Sequence, residues 1–123
     1  MAYDKYLAER INRILQEKYI PFFTKNMMGG LCYMMDDKML CGLMFNKKHN
    51  MELLMARIGE SAYDNAMKKN GCMPMDFTGR PMKGYVFVAP TGFDTDEDLG
   101  YWLNLCIDFN PLAKSSKKKQ GLL

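Results

Sequence analysis

The order of hydrophobic periodicities along the chain predicts an α+β fold with two layers, a mainly antiparallel sheet with helices packed on it, in the order α-β-β-β-α-(β)-β-α. Two segments, residues 4–18 and the stretch from Thr95 to Asn110-Pro111, repeat their apolar residues at helical spacing. Three consecutive apolar runs, Leu31–Met35, Met39–Phe45 and Met51–Ile58, are separated only by short polar interruptions. Strands joined that closely form an antiparallel meander, because a parallel pair needs a long crossover. Tyr85-Val86-Phe87-Val88, all β-branched or aromatic, adds a further strand.

Each element has its own local reason. In residues 4–18, Leu7, Ile11, Ile14 and Leu15 share one face while Glu9, Arg13 and Glu17 point away, and Asp4 stands where a cap is needed. Pro21 breaks the helix, and Phe22–Gly30 reads as an irregular connector ending in Met27-Met28-Gly29-Gly30. Asp36-Asp37-Lys38 and Asn46–Asn50 are of hairpin length. In the third run Glu52, Leu54, Ala56 and Ile58 alternate with Leu53, Met55 and Arg57, so both faces are largely apolar, as a central strand requires. Gly59-Glu60-Ser61 opens a second helix with Tyr63, Ala66 and Met67 inward and Asn70-Gly71 as its stop. The segment Cys72–Lys83, rich in Pro, Gly and charge, reads as a loop with room for one short strand. Thr95-Asp96-Glu97-Asp98 resembles a capping box and starts the last helix, with Leu99, Trp102, Leu103, Cys106 and Ile107 at helical spacing.

A length of 123 residues fits one domain, predicted over residues 1–113, followed by a solvated lysine-rich tail over 114–123. With 48% hydrophobic and 25% charged residues, the composition excludes disorder, collagen and coiled coil. The net charge of +3 is a property of the tail: without Lys114, Lys117, Lys118 and Lys119, the 17 basic residues fall to 13 against 14 acidic ones. A neutral body argues against a dedicated DNA-binding domain, whose affinity comes largely from neutralised phosphates. Met1-Ala2-Tyr3-Asp4 is not a secretory start, and no apolar run reaches the roughly 18 residues of a membrane span. These features predict a cytoplasmic protein without a membrane partner. Cys32, Cys41, Cys72 and Cys106 contain no Cys-x-x-Cys pair and are expected to be reduced, mostly buried thiols.

Met28-Gly29-Gly30, Met39-Leu40-Cys41-Gly42, Leu54-Met55-Ala56-Arg57-Ile58-Gly59 with Tyr63 after it, and above all Met75-Asp76-Phe77-Thr78-Gly79-Arg80-Pro81-Met82-Lys83-Gly84 before an aromatic strand give the chain a recognisable pattern. With the Trp102 helix in place, the sequence resembles the N-terminal domain of the TfoX/Sxy competence-regulator family over roughly residues 3–112. The resemblance implies a two-layer α+β domain and a role near transcriptional control of DNA-uptake genes, beside a catabolite-activator-type regulator. Full-length members carry a second domain, whereas this chain continues into a lysine tail, so the expectation is a stand-alone module of that kind.

The expected site is the segment Asp76–Lys83, where Arg80 and Lys83 join Gly79 and, directly after the segment, Gly84 in a loop able to present backbone N–H groups. Arg57 is expected nearby on the sheet. Arginine forks grip carboxylate or phosphate, so an anion or an acidic partner residue is the natural ligand. The plainer alternative is that Arg80 pairs with Asp76 and Gly79-Arg80-Pro81 only shapes a turn. The expected partner-binding set is therefore Met28, Gly29, Gly30, Arg57, Asp76, Thr78, Arg80 and Lys83, contacting a protein of the transcription machinery as monomer or homodimer. Nucleic-acid binding through the basic face and the tail is the alternative. No enzymatic activity, cofactor or metal is expected. His49, the single histidine, falls in a turn; the cysteines lack zinc spacing; and the 13 methionines, Met73-Pro74-Met75 among them, are read as adaptable packing rather than Cu(I) ligands.

Overall fold

The computed structural model describes residues 3–27, 29–75 and 82–113. Helix α1 (Lys5–Glu17) starts at Asp4, whose side chain accepts from the Tyr6 N–H, and buries Leu7, Ile11, Ile14 and Leu15. Then come β1 (Phe23–Met27), β2 (Gly30–Met35), β3 (Lys38–Asn46) and β4 (Met51–Arg57), helix α2 (Glu60–Ala66), strands β5 (Cys72–Pro74) and β6 (Tyr85–Val88), and helix α3 (Asp96–Phe109). Thr95 caps α3 by accepting from the Asp98 N–H at 3.0 Å, as its sequence indicates.

The strands form one six-stranded sheet in the order β1-β2-β3-β4-β6-β5, and every neighbouring pair is antiparallel. The fold is thus α+β, with β4 interior. The segment read as an irregular connector differs from that expectation: residues 23–27 pair with β2 from Phe23↔Met34 to Met27↔Gly30. All five side chains of β1 are exposed, so the strand is held by backbone pairing and leaves no apolar alternation to read. The short strand allowed for within Cys72–Lys83 is β5, which closes the other edge.

The helices cover one face of the sheet. Tyr33, Leu43, Leu54, Ala56, Val86 and Val88 meet Leu7, Ile11, Leu15, Leu99, Trp102 and Leu103 in one buried cluster. A bulge opposite Tyr33 and Met34 leaves Leu40 as the extra residue between Met39 and Cys41, and both Leu40 and Cys41 are fully buried. Polar ties seat the helices. The Tyr33 hydroxyl lies 2.8 Å from Asn12 Oδ1 and 3.0 Å from the Ala8 carbonyl, and Trp102 Nε1 donates to Gly92 O at 3.0 Å. Buried Arg10 donates to the carbonyls of Phe93 and Asp94 and pairs with Asp96 at 3.1 Å. The opposite face carries a smaller cluster, Leu53, Phe87 and Met75 with Met44, Met51, Met55, Met73, Tyr85 and Ala89, in which no described helix takes part.

Candidate functional site

The register of β4 on β6 sets Arg57 directly beside Tyr85 at the ends of the two strands. Beyond them the chain turns at Gly59 (φ 85°) and Gly84 (φ 97°), and the Gly84 carbonyl accepts from Ile58 N at 2.8 Å and Gly59 N at 3.0 Å. This stitch holds the exit of β4 against the entry of β6. Gly59 is required twice: its φ disfavours L side chains, and a Cβ there would sit 2.4 Å from Phe109 Cδ1. Phe109, the last residue of α3, therefore packs close enough to reach Arg57.

The Arg57 guanidinium carbon lies 5.4 Å from the Tyr85 ring centroid and 5.7 Å from that of Phe109. Two rings thus bound the movement of the guanidinium and attract its charge. Arg57, Gly59, Glu60, Lys83, Tyr85 and Phe109 line a cleft of about 270 Å³. Arg57 and Lys83 make one part of it basic, and Glu60 supplies the opposing charge. A planar fork on an aromatic seat beside an ammonium is a receptor for carboxylate or phosphate oxygens.

Arg57 and Lys83, expected near each other from sequence, line this one cleft. Gly29 is exposed at φ 80° in the β1–β2 turn, and Gly30 is buried in β2, where a Cβ would meet the Leu43 carbonyl oxygen at 2.5 Å. Met28, Asp76, Thr78 and Arg80 lie outside the described residues, as do the pairing of Arg80 with Asp76 and the lysine tail. Sequence reasoning missed Tyr85, Phe109 and Glu60. Tyr85 was visible only as a strand residue, and Phe109 only as the end of a helix; their place beside Arg57 depends on strand register and on how α3 docks.

The thiols show no activation. Burial pushes Cys72 up to about 11 and Cys106 up to about 12, and raises Cys32 and Cys41 as well. A nucleophilic cysteine needs the opposite shift. His49 lies in the β3–β4 turn, its backbone N–H donating to Asn46 Oδ1 at 2.9 Å. Among the described residues no group of three His, Cys, Asp or Glu side chains is placed to hold a metal, and no helix is long and apolar enough to cross a membrane.

The family model of the TfoX N-terminal domain matches residues 15–110, which span every strand, α2, α3 and Arg57, Gly59, Glu60, Lys83, Tyr85 and Phe109 of the cleft, though not Leu112 and Ala113 at its edge. The chain belongs to that family. No curated protein and no solved structure matches it. Within this TfoX N-terminal domain, the turn that carries Gly59 and the sheet end that carries Arg57 both fall inside the matched segment.

Proposed function

We propose that this TfoX N-terminal domain is a non-enzymatic regulatory adaptor that binds a protein partner of the transcription machinery, in regulation of competence-type genes. The observation that carries the reading is Arg57 held between Tyr85 and Phe109 beside Lys83, a preorganised seat for an acidic side chain. Family membership supports a regulatory role, and the raised thiols give no support to covalent catalysis. A partner carboxylate set on the fork, with apolar contacts to the two rings, is the contact this chemistry favours.

The test is capture of the tagged protein from its own cell extract with and without nuclease, run beside Arg57→Lys and Lys83→Ala. Arg57→Lys keeps the charge and removes the fork; Lys83 is exposed, so its truncation leaves packing intact. Circular dichroism monitors the fold of both variants. A transcription protein retained after nuclease and lost in both folded variants supports the adaptor. Retention that vanishes with nuclease and falls steeply with salt makes the domain a nucleic-acid binder instead.

A further inference from the structure

The sheet face on which no described helix packs is rich in sulfur. Strand registers place Cys32, Gly42, Met55, Phe87 and Met73 in one row across β2, β3, β4, β6 and β5. Gly42 leaves a gap in that row, and the Met55 methyl lies over it, 2.8 Å from where a Gly42 Cβ would stand. Beside this gap is a cavity of about 90 Å³ lined by Met27, Cys32, Met39, Met44, Met55 and Met75, with Leu31 as the one residue without sulfur. These residues come from β1, β2, β3, β4 and the end of β5, so tertiary folding and not local repetition gathers them.

Methionine is an adaptable filler, and a filler would be expected on both faces of the sheet. The helix-side cluster has 21 buried residues, none of them a methionine, and only Met35 and Met67 pack, partly buried, against it. Six of the seven residues that line the cavity carry sulfur, and no lining side chain offers nitrogen or oxygen. Thioethers and a thiolate select soft ions of low charge over zinc, magnesium or calcium.

We propose that this cavity binds one Cu(I) ion through the Cys32 sulfur and thioethers of the surrounding methionines, Met44 and Met55 among them. Cys32 is 2% exposed, and its thiol now donates to Met34 Sδ at 3.6 Å. On binding, the S–H bond breaks, the sulfur forms the bond to copper, the proton passes to solvent, and copper stays in the +1 state throughout. The Cu(I)–thiolate unit is neutral, which an apolar cavity accepts; a divalent ion would leave an unpaired positive charge in it. The site is separate from the Arg57 cleft and stands or falls independently of the adaptor reading.

The deciding experiment is anaerobic titration of the whole chain with Cu(I) against bathocuproine disulfonate, repeated calorimetrically with Ag(I), which needs no reductant. One ion retained per chain is expected. Met55→Leu, nearly equal in volume, should keep the thermal unfolding midpoint and weaken binding about tenfold, the loss of one contact of about 1.4 kcal/mol. Cys32→Ala should abolish binding, while Cys72→Ala, at the separate Cys72–Met67 sulfur pair, should leave it unchanged. Failure of the wild-type chain to hold either ion against the chelator overturns the proposal. So does binding that survives Cys32→Ala but not Cys72→Ala. If Cys32→Ala does not fold, the Met44→Leu/Met55→Leu double variant decides: full-strength binding by it overturns the site.

Discussion

Gly59 shows how one residue can govern a site it does not chemically join. Its φ of 85° is disfavoured for any L side chain, and its missing Cβ leaves the room that the Phe109 ring fills. Gly59→Ala adds backbone strain and a clash, a combined cost of about 2 kcal/mol or more. Chemical denaturation should register that loss. Partner capture should fall in the same variant even where it stays folded, because the displaced ring no longer bounds the Arg57 guanidinium. Arg10 and Arg13 offer a contrast on one helix. Arg10, 8% exposed, supplies the Phe93 and Asp94 carbonyls and meets Asp96; Arg13 meets the same Asp96 from a side chain that is 55% exposed. Arg10→Ala strands the buried Phe93 carbonyl and removes the packed side chain, and should cost about 2–4 kcal/mol, whereas Arg13→Ala should stay within about 0.5 kcal/mol. Equal urea midpoints for the two variants would contradict this account.

The starts of α1 and α3 are set by side-chain oxygens that can be removed singly, whereas α2 starts at Gly59 without a side-chain cap. Asp4 Oδ1 accepts from Tyr6 N at 2.9 Å in α1, and Thr95 Oγ1 from Asp98 N at 3.0 Å in α3. Thr95→Ala and Asp4→Ala should each lower stability by about 1 kcal/mol, read from thermal unfolding. These caps were legible because their chemistry is local, as were both long helices and the four strands with apolar faces. β1 was not: Phe23-Thr24-Lys25-Asn26-Met27 is exposed throughout, since an edge strand needs only its neighbour's backbone, and Lys25 at such an edge discourages pairing with another chain. The site divided along the same line. Arg57 and Lys83 declared themselves as cations near glycines, while Tyr85 and Phe109 joined them only through the β4–β6 register and the docking of α3. Nothing in a linear sequence carries that information.

The whole molecule holds its two layers together across buried thiols, and this fixes how its stability must respond to alkali. Cys41 from β3 and Cys106 from α3 are both buried in the cluster between sheet and helices. Burial favours the neutral thiol, so Cys106 is pushed up from the ordinary value of 9.0 to about 12, and Cys41 moves in the same direction, with Cys106 adding to its shift. Unfolding returns each thiol to water, where it releases its proton near pH 9. Above that pH the folded state binds more protons than the unfolded one, so stability is fully present below about pH 9 and declines as pH rises toward 12. One such group contributes a slope of at most about 1.4 kcal/mol per pH unit. Alkali acts on the rest of the protein as well, so the informative quantity is the difference between wild type and Cys106→Ala. The variant should be less stable at pH 7, because it leaves a small cavity beneath α3, yet its urea midpoint should fall less steeply between pH 9 and 12. Parallel pH profiles for the two proteins would mean that Cys106 is not held neutral by the packing of α3 on the sheet.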